Sequence, residues 1–224
     1  MSGTGRPLLV SDCDEVLLHM VSHFAEWLTE AHGYSFNLEA PGFREALRDG
    51  EGLPLAEDRV WPLLDQFFDG EMHRQNLVPG AGEALAAIAE RADIVILTNI
   101  GDEYEAGRIE QLGRFDIHHR VLCNRGGKGR PVLELIEEMK PSVAVFIDDL
   151  AVHHESVAKH APETWRLHMI AEPRLAAPTP PMPGSTVGAR PCPGSSIGSI
   201  WGPRPGRHEP DILTRRPRKC LPGA

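Results

Sequence analysis

The stretch Leu8-Leu9-Val10-Ser11-Asp12-Cys13-Asp14-Glu15-Val16-Leu17 constrains this chain more than any other. Its apolar run reads as a buried strand, and two carboxylates appear where the run stops. A helix-period segment follows with no Gly or Pro between. Leu17, Val21, Phe24 and Leu28 recur at helical spacing, and Leu18, Met20 and Trp27 widen the face. Asp12 and Asp14 are therefore expected at a strand's carboxyl end, the edge where open α/β sheets bind ligands. Two acids crowded there repel each other unless a cation, or opposed roles for the two, accounts for them.

The 224 residues suffice for one domain with a solid core and an insertion. No basic segment followed by an apolar run opens the chain, and no apolar run is long enough to span a bilayer, so no membrane partner is expected. Cys13, Cys123, Cys192 and Cys220 show no spacing for zinc or a redox pair, which fits a reducing cytoplasm. The net charge of −9 hides an asymmetry: residues 1–171 carry 15 Lys and Arg against 29 Asp and Glu, while residues 172–224 carry 8 against 3. An acidic body argues against nucleic acid as its partner.

Past Gly33, residues 34–78 hold aromatic-rich helical patches (Phe43 to Leu47, Val60 to Phe68) broken by Pro41, Gly50, Gly52 and Pro54, with no strand alternation. They read as part of an all-helical insertion over 17–78. Residues 1–16 and 79–171 form the main domain. There, Asp93 to Leu97, Val121-Leu122, Val143 to Ile147 and Trp165 to Ile170 read as strands alternating with helices. That order predicts an α/β fold with a doubly wound, five-stranded parallel sheet covered on both faces. After about residue 172 the periodicity stops, and the segment holds 12 of the 20 prolines. It reads as a disordered basic tail. The abrupt change and the reversal of charge also fit an out-of-frame continuation.

Further polar residues fall where strands end. Thr98-Asn99 close the second strand, Gly126-Gly127-Lys128 open a helix, and Asp148-Asp149 close the fourth strand. Singly, each has a plainer reading: Thr98-Asn99 or Asp148-Asp149 as helix caps, Lys128 as a solvated surface residue. Together they bring four acids, a hydroxyl and an ammonium to one sheet edge. Four carboxylates there call for a bound cation, and all-oxygen ligands favour Mg²⁺, which also neutralises phosphate oxygens. The combination points to phosphoryl transfer.

The order Asp12-x-Asp14, Thr98, Lys128, Asp148-Asp149 resembles the four motifs of the haloacid dehalogenase-like (HAD) hydrolase superfamily, over about residues 7–170. The insertion looks like that superfamily's small helical (C1-type) cap. The resemblance implies strand order 5-4-1-2-3, Asp12 as nucleophile forming an aspartyl-phosphate, and Asp14 as general acid and then base. It further implies Thr98 and Asn99 on the phosphoryl group, Lys128 offsetting charge on nucleophile and phosphate, and Mg²⁺ held by Asp12, the Asp14 backbone carbonyl, Asp148 and Asp149. Dehalogenase members lack an acid at the position of Asp14, because a halide leaves without a proton. An acid there points to phosphate esters, and the resemblance implies a small phosphorylated substrate, members of the superfamily accepting sugar phosphates, nucleotides, phosphoglycolate and others. Val16 departs from the Thr that many members carry.

Other readings stay open. A response-regulator receiver domain also uses Asp, Thr, Lys and Mg²⁺, but with its acidic pair on the first strand and the phosphorylated Asp on a middle one. A catalytically inactive binding protein of the same fold, or a phosphotransferase, would share the motifs. His153-His154 reads as a solvated first-turn pair that could line the site, and His118-His119 as loop surface. Cys13 reads as a packed core thiol. Arg44, Arg48, His73 and Arg74 are candidate substrate contacts, each also readable as exposed charge.

Overall fold

The computed structural model describes residues 5–40 and 42–172, so the expectations for the basic tail lie outside the described residues from 173 onward. Strands β1 (Leu8–Ser11), β4 (Asp93–Thr98), β5 (Arg120–Cys123), β6 (Ala144–Asp148) and β7 (Trp165–His168) form one sheet in the order β5-β4-β1-β6-β7. Every pairing is parallel, so the five carboxyl ends share one edge. Counted among this sheet's strands alone and read from β7, this is the order 5-4-1-2-3 that the resemblance implies.

Strand alternation divides the core. Leu8, Val10, Val95, Leu97 and Phe146 face one side, against Val132 and Leu135 of α6 (Gly129–Met139) and Val157 of α7 (Ala151–His160). Leu9, Ile94, Ile96 and Val121 face the other, against Ala81 and Leu85 of α4 (Ala81–Ala89) and Leu112 of α5 (Glu105–Gly113). With both faces covered, the strands need no polar alternation, which is why they read as continuous apolar runs.

Between β1 and α4 lies the insertion. It holds α1 (Val21–His32), α2 (Phe43–Ala46), α3 (Glu57–Gln66), a π-type turn at Phe67–Glu71 and a 3₁₀ turn at Met72–Arg74. It is helical as expected, with one addition: β2 (Ser35–Phe36) and β3 (Leu47–Arg48) form a two-residue antiparallel ladder. Two residues per strand are too few for an alternation to appear in sequence. Phe24 organises this part, its ring centroid 5.6 Å from Phe43, 5.4 Å from Phe67 and 5.9 Å from Trp27. The same apolar cluster takes in Ile100, Tyr104, Cys123 and Ile170 from the loops and strand ends of the sheet. The insertion is thereby seated over the carboxyl edge.

The first helix starts later than its apolar spacing suggests. Leu17 and Leu18 are buried in a loop, and α1 begins at Val21. Glu15 is the cause. Its φ of +60° is left-handed and cannot continue a right-handed helix. Its carboxylate Oε1 then accepts the N–H groups of Met20 and Val21, each at 2.8 Å, and caps the helix. Oε2 accepts the Glu172 N–H at 3.0 Å, and the Glu15 carbonyl accepts that of Ala171 at 2.7 Å. One residue thus ties the start of the insertion to the segment leaving β7.

Candidate active site

Asp12 directly follows β1, and its N–H extends the ladder by donating to Ile147 at 2.8 Å. That places it beside Asp148, the last residue of β6. Lys128 lies between the two carboxylates, its Nζ 2.7 Å from Asp12 Oδ1 and 2.7 Å from Asp148 Oδ2. Lys128 and Asp148 are 0% exposed and Asp12 only 5%, so these charges interact with little screening by water. Lys128 is not the solvated residue of the plainer reading. The loop before it turns at Gly126, whose φ is +92°. Gly129, just after it, lets α6 approach α7 so closely that a Cβ would lie 2.1 Å from the Ser156 carbonyl oxygen.

One side-chain oxygen from each of Asp12, Asp148 and Asp149 lies within 4.8 Å of the others. Burial pushes the Asp12 carboxyl up to about 6, against the pull of Lys128 and with the push of Asp148. Burial, then Asp148 and Asp12, also raise Asp149 well above the ordinary range. Burial alone would lower the Lys128 ammonium, but Asp12 and Asp148 outweigh it and hold the group above its usual value. One lysine therefore leaves negative charge uncompensated. An all-oxygen donor set with excess negative charge fits a hard divalent cation.

Asp14 points elsewhere. Arg108 Nη2 donates to its Oδ1 at 3.0 Å and Oδ2 at 2.9 Å, Gln75 Nε2 to Oδ1 at 2.7 Å, and Thr98 Oγ1 to Oδ2 at 3.4 Å. The Asp14 side chain is accordingly outside the three-carboxylate group, and only its backbone carbonyl is left for the cation role expected of it. Arg108, on α5, is fully buried, and its Nε–H has no hydrogen-bond partner. Such an orphan donor costs about 1–3 kcal/mol. Sequence reasoning passed over Arg108, Gln75 and Gln111. The available signal was a polar residue on an apolar helix face, since Tyr104, Arg108, Gln111 and Leu112 share helical spacing.

Thr98 closes β4 and is completely buried. Asn99 stands one step aside. Its Nδ2 donates to the Gly126 carbonyl at 2.9 Å and lies 3.2 Å from His153 Nε2, and its Oδ1 accepts from Asn124 at 2.8 Å. Asn99 thus braces the Lys128 loop. His153 and His154 are buried, not solvated as read from the sequence, because the first turn of α7 tucks beneath the acidic edge. His154 Nε2 is 2.9 Å from the Asp148 carbonyl oxygen. Burial, then Lys128, lower His153 to about 3, so it is neutral near pH 7.

Two of the candidate cap contacts carry ion pairs of their own. Arg44 meets Glu57 at 2.6 Å, and Arg74 meets Glu30 at 2.7 Å and also Glu71. His73 Nδ1 lies 3.1 Å from the Gly70 carbonyl oxygen. Cys13 is a buried free thiol, as expected, with its Sγ 3.3 Å from Arg108 Nη1.

No protein-family model matches the chain, and no curated protein matches its sequence. Its structure is similar to solved ones. A haloacid dehalogenase-like family hydrolase from Streptococcus pneumoniae superposes with a TM-score of 0.53 at 12% identity, over 75% of this chain and 88% of that one. A predicted phosphoglycolate phosphatase from Haemophilus somnus superposes with a TM-score of 0.52 at 14% identity, over 72% and 84%. In sheet order, in the insertion after the first strand and in three carboxylates at the carboxyl edge, this chain has the haloacid dehalogenase-like fold.

Proposed function

We propose that the chain is a Mg²⁺-dependent phosphomonoester hydrolase acting on a small phosphorylated metabolite through an aspartyl-phosphate on Asp12. The observation that carries the reading is the set of buried Asp12, Lys128 and Asp148 with half-buried Asp149, in which one ammonium bridges two of three clustered carboxylates. Residues 17–78 would be the cap over this set, and 1–16 with 79–171 the catalytic domain. Free thiols at Cys13 and Cys123 fit a cytoplasmic setting. No helix among the described residues is long and apolar enough to cross a membrane.

Asp12, Asp148, Asp149 and the Asp14 carbonyl would hold Mg²⁺, which when bound neutralises phosphate oxygens. A carboxylate oxygen of Asp12 attacks phosphorus as the bond to the leaving oxygen breaks, and Asp14 gives that oxygen its proton. In the second step Asp14 takes a proton from water, and the water oxygen displaces the Asp12 carboxylate from phosphorus. Lys128 holds Asp12 in place and stabilises charge on the transferring group without having to reorganise. Thr98 and Asn99 would bind the phosphoryl oxygens, Thr98 from the strand end and Asn99 by turning from the Lys128 loop.

Phosphate release from a panel of phosphorylated metabolites, with and without Mg²⁺, tests this. Release that requires both Mg²⁺ and Asp12, judged against Asp12→Asn, is expected. A folded chain that releases none and still binds phosphorylated ligands would be an inactive binding protein instead. Transfer of the phosphoryl group to an added alcohol would mark a phosphotransferase.

A further inference from the structure

We infer that Arg108 is the positioning residue for Asp14 and sets how the site discriminates between leaving groups; this rests on the phosphatase reading above. A fully buried guanidinium needs a counter-charge, and the charge it meets is Asp14, with Nη2 reaching both carboxylate oxygens. The rest of Arg108 is pinned from other directions. Nη1 lies 3.3 Å from Cys13 Sγ and 3.3 Å from Gln75 Oε1, and its Cζ is 5.7 Å from the Phe68 ring centroid. Gln75 is fixed in turn by Gln111 Nε2 at 3.3 Å, which also donates to the Met72 carbonyl. Asp14 therefore takes its direction from α5 and from the segment where the insertion returns to the sheet. The three clustered acids have no part in it.

Direction matters for one step. As the bond between phosphorus and the leaving oxygen breaks, a basic leaving oxygen must receive the Asp14 proton, whereas 4-nitrophenolate departs without one. A carboxylate free to swing loses the first class of substrate and keeps most of the second. Lysine in place of Arg108 would retain the charge, but it lacks the planar fork that engages Asp14, Gln75 and Cys13 together.

The experiment is a leaving-group series of aryl phosphates, from 4-nitrophenyl to 4-methylphenyl, measured with Mg²⁺ on the full chain and on Arg108→Met and Arg108→Lys. Arg108→Met is expected to lose about tenfold more kcat on 4-methylphenyl phosphate than on 4-nitrophenyl phosphate, with Arg108→Lys between it and the parent. Equal losses across the series, or none, would overturn the inference, because a merely structural arginine would lower all rates alike. If Arg108→Met does not fold, Arg108→Lys carries the test, with a smaller loss that again falls more heavily on 4-methylphenyl phosphate. A parent chain that releases phosphate from neither the aryl series nor the metabolite panel would refute the phosphatase reading alone. Crystal structures then decide the positioning: an Asp14 carboxylate that keeps its direction in Arg108→Met, or in Arg108→Lys where the Met variant does not fold, overturns it.

Discussion

Lys128 Nζ and Asp12 Oδ1 meet at 2.7 Å in a site where the lysine has no exposed surface. The pair joins a loop between β5 and α6 to the end of the central strand, and the same ammonium reaches Asp148.

Lys128→Met is expected to leave Asp12, Asp148 and Asp149 without their cation. Breaking a buried pair from one side costs about 3–5 kcal/mol. Urea unfolding in the presence of a chelator should show that loss, and Mg²⁺ should restore part of it. Phosphate release should fall by about two orders of magnitude or more. A variant as stable as the parent in chelator would mean that the acids do not depend on Lys128.

Mg²⁺ should raise the melting temperature more at neutral pH than in mild acid. The Asp12 carboxyl goes from 3.8 up to about 6 in the fold, and Asp149 is raised too. A carboxyl raised by folding contributes stability that is complete below its unfolded value and is lost as pH climbs through the folded one. Without a divalent cation the Asp12 contribution is therefore lost as pH rises from 3.8 to about 6, and that of Asp149 is lost as pH climbs to its own raised value. Cation binding favours their ionised forms, so the stabilisation by Mg²⁺ grows over that range. His153 acts oppositely: lowered to about 3, it contributes stability present above its ordinary 6.5 and lost as pH falls. Thermal melts across pH, with chelator and with Mg²⁺, check both slopes.

Glu15→Ala should cost about 2 kcal/mol or more, since it removes the cap on α1 and the tie to Glu172. Glu15→Gly should lose less by about 1 kcal/mol, because glycine adopts φ +60° without strain. Equal stabilities in denaturant titration would show that the left-handed backbone carries no cost here.

Gly129→Ala should destabilise by about 1–3 kcal/mol through overpacking, because its Cβ would strike backbone rather than a movable side chain. The resulting separation of α6 from α7 should also weaken activity through Lys128. A Gly129→Ala chain with parental stability and turnover would count against close approach as the reason for glycine there.

The sequence by itself determined the sheet and most of the acidic edge. Strands buried on both faces leave unbroken apolar runs, and Asp12, Thr98 and Asp148 sit where those runs end, so parallel pairing was bound to gather them. Only the tertiary structure decided what each group faces. Arg108 lies ninety-four residues from Asp14, and His153 and His154 look like any polar first turn until α7 is laid beneath the edge. The start of α1 was hidden for a related reason. Apolar spacing records which residues are buried, and Leu17 and Leu18 are buried equally well in a loop, so the left-handed turn at Glu15 leaves no trace in that pattern. Local patterns encode burial, whereas the pairing of buried charges depends on contacts between segments that only the folded chain brings together.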